Sequence, residues 1–158
     1  MTQKDYILRI AENVGRALAQ IIYHQDVRDY QGALTLIDEV FKQVLGAGSG
    51  FIQAISEKTL LAMLTCADIL NSEKALLIAT LLKAEGDIYE DQGDPAAAYE
   101  SNLKSLNVFL EILLGDDNLH DIHIVPEITD LLDKLETYEL PLYTRRLLAQ
   151  WYEQRREF

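Results

Sequence analysis

Residues 92 to 95 read Gln-Gly-Asp-Pro and lie between two apolar stretches. Glycine accepts the left-handed conformation that ends a helix, aspartate caps the start of one, and proline suits the first helical turn. Gly93, Asp94 and Pro95 supply these three in immediate succession, so one helix must stop and another begin there. So short a connection requires the flanking segments to fold back on each other as antiparallel helices.

The same stretch carries the densest acidic run, Glu85, Asp87, Glu90, Asp91 and Asp94. A calcium loop needs oxygen ligands at alternate positions and a central glycine. Here Ile88 and Tyr89 interrupt the acids, and the helical period places Asp87, Glu90 and Asp91 on one solvated face. Paired carboxylates doing acid and base work would need a pocket that drives their pKa values apart, and the sequence shows none.

The rest of the chain repeats this grammar. Residues 2–25 place Ile7, Ile10, Ala11, Val14, Leu18, Ile21 and Ile22 at helical spacing, and Gly15 lies in a small-residue strip with Ala11 and Ala19 that suits close approach of another helix. Asp29 caps a partner helix with apolar face Ala33, Leu34, Ile37, Val40, Phe41 and Val44, which Gly46 closes. Residues 46–50, Gly-Ala-Gly-Ser-Gly, read as a flexible link. A third helix is predicted over 51–70, with a buried, unreactive Cys66, and a fourth from Asn71 or Ser72 to about Gln92. A fifth runs to Leu114, residues 115–125 form a loop, and Pro126 and Pro141 open two more.

The expectation is one all-α domain over 1–158 with about seven helices: a first hairpin (1–46), central helices (51–114) and C-terminal helices (126–157). Leucine, alanine, glutamate and isoleucine dominate a chain with three prolines, a composition for helices packed on helices. The single cysteine excludes an internal disulfide. The charged start has no apolar secretory core and no uncharged stretch is long enough for a membrane span, so a soluble, cytoplasmic protein is expected. A formal net charge of −12, concentrated in residues 85–139, opposes nucleic-acid binding.

Residues 79–110 and 16–46 share a pattern: helix, turn with an aspartate (Asp94, Asp29), then an alanine four places on (Ala98, Ala33) and an apolar helix. With Gly86, Tyr89, Gly93 and Ala98 at the matching places, residues 85–106 resemble a tetratricopeptide repeat. The resemblance implies stacked antiparallel hairpins in a right-handed superhelix, with Gly86 and Ala98 at the closest helix crossing. Asn102, Ser105 and Glu85 depart from that pattern. The chain as a whole also resembles an uncharacterised family of small proteins from Gram-positive bacteria read as helical-repeat proteins, which implies a fold and no activity.

In such arrays the face bearing Lys83, Asp87, Glu90 and Asp91 points to the peptide-holding groove. Its acidity fits a basic peptide or protein surface and disfavours the carboxylate-clamp function of some relatives. Tyr143, Leu147, Leu148, Trp151 and Tyr152 give the last helix a large apolar face, read as a cap on the core in preference to a homodimer contact.

For metal, the weak candidates are His120 and His123 with Asp117, in a segment that also holds Asp116 and Asp121. Ordinary loop composition explains these residues as well. No nucleophile motif, phosphate loop or cofactor fingerprint is present, so no catalytic residue and no cofactor is assigned. The favoured reading is a non-enzymatic protein-interaction module of helical-repeat type. The alternatives are a metal-dependent or carboxylate-based enzyme using residues 116–123, and a small regulatory or ligand-sensing domain.

Overall fold

The computed structural model describes residues 3–115 and 121–156, and the side chains of residues 12, 15, 16, 18–115 and 124–155 within them. Among the described residues there are eight α-helices: α1 (Gln3–Asp26), α2 (Tyr30–Leu45), α3 (Ser49–Ala54), α4 (Glu57–Met63), α5 (Ser72–Asp91), α6 (Pro95–Leu114), α7 (Asp121–Lys134) and α8 (Leu142–Arg156). A two-residue pair of strands, β1 (Thr65–Cys66) and β2 (Ile69–Leu70), lies between α4 and α5. The all-α expectation therefore holds at the level of class.

The turn at Gly93 is built as its residues require. Gly93 takes φ 76° and donates its N–H to Glu90 C=O at 3.0 Å, while Asp94 N–H reaches Tyr89 C=O at 2.9 Å. These are the paired bonds of a left-handed helix stop. Asp94 Oδ1 then accepts from Ala97 N–H at 3.2 Å and opens α6. The turn between α1 and α2 has the same construction: Arg28 N–H to Gln25 C=O at 3.0 Å, Asp29 N–H to His24 C=O at 2.6 Å, and Gly32 N–H to Asp29 Oδ1 at 3.1 Å. Arg28, at φ 60°, stands where the second turn has glycine.

α6 is the centre of the molecule. It packs on α4, α5, α7 and α8, and every residue from Ser101 to Leu110 is buried. Its partners on α5 run in the opposite sense, Ser101 against Glu85 and Ser105 against Ala79, so the two helices are antiparallel. α1 and α2 form a second packed pair against α5. One continuous apolar core extends from Ile21 through Phe41, Leu82 and Phe109 to Trp151.

Several expectations need correction. The helix expected over 51–70 is divided, because Ser56 takes an extended conformation and its hydroxyl accepts from Thr59 N–H at 3.1 Å to start α4 afresh. Beyond Met63 the chain makes a hairpin whose two turn residues, Ala67 (φ 52°) and Asp68 (φ 64°), are both left-handed. Cys66 sits on that hairpin and is exposed, where burial was expected. The glycine-rich link is anchored: Gly46 ends α2 at φ 76°, and Ser49 N–H binds Asp38 Oδ1 at 2.8 Å to begin α3. α7 begins at Asp121, so Pro126 lies inside a helix it was expected to open. Gly15 faces outward, and among the described residues no atom is near enough to meet an added methyl, so close helix approach does not explain it.

Candidate functional site

The face of α5 assigned to a peptide groove is divided by α7. Lys83 Nζ lies 2.6 Å from Glu127 Oε2 and 2.9 Å from Asp130 Oδ2, and Asp87 pairs with Lys134. Lys134 also reaches Asp130 at 3.4 Å. Burial lowers the pKa of Lys83, but its bonds to Glu127 and Asp130 outweigh that and raise it on balance. The same Lys83 bond holds Asp130 below the usual aspartate range. Lys83 and Asp87 thus clasp α7, whereas Glu90 and Asp91 remain exposed.

Next to those exposed acids lies the end of α1. Gln25 Nε2 donates to Asp91 Oδ2 at 3.1 Å, and Ile22, Tyr23 and Val27 beside Gln25 are each more than half exposed. Among the described residues, no cation pairs with Glu90, Asp91 or Asp94. An uncompensated acidic edge therefore adjoins an uncovered apolar one.

A polar seam that the sequence did not reveal runs through the core. Glu85, on α5, is fully buried. Its Oε1 accepts from Ser101 Oγ at 2.9 Å and from Gln53 Nε2 at 2.5 Å, and Gln53 also reaches Ser101 Oγ at 2.5 Å. Its Oε2 has no hydrogen-bond partner among the described residues. Burial pushes the Glu85 pKa up, the hydroxyl and amide donors resist this, and the negative Asp38 adds to it. Further along, Ser105 Oγ donates to Ala79 C=O at 2.7 Å and Thr144 Oγ1 to Asn107 Oδ1 at 2.7 Å. The seam's one local sign was Glu85, a departure from the repeat pattern that the sequence resembles; the serines and asparagines of α6 read as exposed until the helix is placed at the centre.

The four residues of the repeat pattern are placed as follows. Gly86 and Ala98 are buried, Tyr89 is half-buried and Gly93 is exposed in the turn. A side chain at Gly86 would first strike Asn102, whose Cγ would lie 2.7 Å from the added Cβ. The close approach therefore involves a residue one turn beyond Ala98. On α8, Leu147 and Trp151 are buried, Tyr143 donates to Glu111 Oε1 at 2.7 Å, and Tyr152 is half exposed. The buried part of that face covers α6.

A third feature is a cleft of about 490 Å³ between the β1–β2 hairpin and the C-terminal end of α6. Leu61, Ile69, Leu70, Ile112 and Leu114 supply apolar walls, and Asp68 and Glu111 supply carboxylates. Neither acid was singled out from the sequence.

His120 and Asp117 lie outside the described residues, as does the side chain of His123. Among the described residues, no group of three or more His, Cys, Asp and Glu could hold a metal ion, and no helix is long and apolar enough to cross a membrane. No family model, curated protein or solved structure matches the chain.

Proposed function

We propose that this chain is a non-enzymatic protein-interaction module of helical-repeat type whose partner presents a basic surface. The observation that carries the reading is the corner where α1 and α5 end. Exposed Glu90 and Asp91 stand there beside exposed Ile22, Tyr23 and Val27, with the Gln25–Asp91 bond joining the two sets. Contiguous apolar surface rimmed by charge is the composition of a docking patch. An acidic rim adds electrostatic steering toward a cationic partner. Two turns of like construction, at Arg28 and at Gly93, support the repeat reading.

The reading keeps Glu90 and Asp91 as partner-facing residues and gives Lys83 and Asp87 to internal support of α7. The experiment is capture of host proteins on immobilised chain, with the wild type compared with Glu90→Lys/Asp91→Lys. A retained protein of high isoelectric point, weakened by added salt and lost with the reversed charges, is the expected result. Retention unchanged by the double substitution overturns it.

A further inference from the structure

The cleft beside the hairpin has a more specific chemistry than the open corner. Its walls are apolar, and among the described residues its lining includes two carboxylates and no lysine, arginine or histidine. The carboxylates come from different elements: Asp68 from the hairpin turn and Glu111 from the last turn of α6. The end of α6 adds to their sign. Leu114 and Gly115 line the cleft where the last carbonyls of a 20-residue helix concentrate partial negative charge. The element end of opposite sign, the start of α5 at Ser72, already has a cap, because Asn71 Oδ1 accepts from Lys74 N–H at 3.1 Å. Tyr143 occupies Oε1 of Glu111, and among the described residues no other hydrogen-bond donor engages that carboxylate.

From this juxtaposition we infer that the cleft is an anchor site for an arginine side chain flanked by apolar residues in the basic partner. The inference rests on the proposed function and deepens it. A cavity of this size holds a side chain and its neighbours. Guanidinium is the better match than ammonium, because it is weakly hydrated, forks between carboxylate oxygens and carries a stem suited to leucine and isoleucine walls. Carboxylates in a half-apolar cleft attract it more strongly than they would on an open surface.

The test is an NMR amide-shift titration of the full chain with acetyl-Leu-Arg-Leu-amide and with its citrulline counterpart, which keeps the shape and loses the charge. Shifts at Leu61, Ile69, Ser72 and Glu111 with the arginine peptide, and none with citrulline, are expected. Asp68→Asn should weaken the arginine peptide about tenfold, the scale of one charge-assisted contact. Asparagine tolerates the left-handed conformation of that turn, so the fold is spared. Glu111→Gln is the second variant and should act in the same direction. Equal binding of the citrulline peptide, or undiminished binding by Asp68→Asn, overturns the cleft assignment. Shifts confined to Glu90 and Asp91 overturn it while leaving the basic-partner reading intact, and no shift at any residue counts against both.

Discussion

Eight residues before Asp29 stands Ile21 and eight after it Ile37; at the same distances from Asp94 stand Gly86 and Asn102. The turns between them are alike bond for bond, yet the helix pairs they join are filled differently. Ile21, Ile37, Val40 and Phe41 bury large apolar side chains in the first pair. The second places Glu85, Ser101, Asn102 and Ser105 at the contact and removes the side chain of Gly86 to admit Asn102. Hydrophobic burial is tolerant of detail, while a buried polar contact stabilises only if its partners are in place. One turn design can therefore join helices by either means, and the second is the less forgiving.

The largest loss should come from moving the polar solution into the apolar pair. Ile37→Asn loses a fully buried side chain and leaves an amide with no designed partner, so urea denaturation should show a loss of about 4 kcal/mol. Next in size is Gly86→Ala. The added methyl collides with Asn102, a short and buried side chain with little room to withdraw, and the expected cost is about 2 kcal/mol. Most of that cost should vanish in an Asn102→Ala background, and an undiminished cost would show that the two residues are not coupled. The control is Gly15→Ala in α1, where an added methyl meets nothing: it should stabilise by about 1 kcal/mol.

The smallest effect is the pH response of Glu85→Gln, which should lie within about 1 kcal/mol of wild type at neutral pH because glutamine can still accept from Ser101 and Gln53. The folded-state pKa of Glu85 is raised, so its contribution is full below the ordinary glutamate value and is lost as pH rises through the raised one. Asp38 and Asp130 have lowered values, the former chiefly through Lys42, and act in the opposite sense: their contributions are lost as pH falls. Denaturation across the weakly acidic range should therefore show wild type losing stability relative to Glu85→Gln as pH rises. Parallel curves would mean that Glu85 does not change its protonation there.

What could be read from the sequence was what local chemistry dictates. Asp29, Asp94, Gly46 and Gly93 act where their conformational preferences place them, because caps and stops depend on a few adjacent residues. The division of 51–70 was partly legible, since Ser56 is an ordinary cap. The left-handed Ala67 was not, because alanine gives no sign of such a turn. The acidic face of α5 was legible as a solvated helix face, but its partition was not. Lys83 and Asp87 find their partners on α7, more than 40 residues away, and no local rule identifies long-range ion pairs. The seam was hidden for a related reason: serine and asparagine signal exposure unless the position of α6 at the centre is already known.

That central position has a consequence for how the chain can come apart. A helix enclosed by four neighbours has no outer face along which to peel, so its amides from Ser101 to Leu110 gain access to solvent only when the surrounding helices disperse. The seam and everything fastened to it must therefore be dismantled as one cooperative unit.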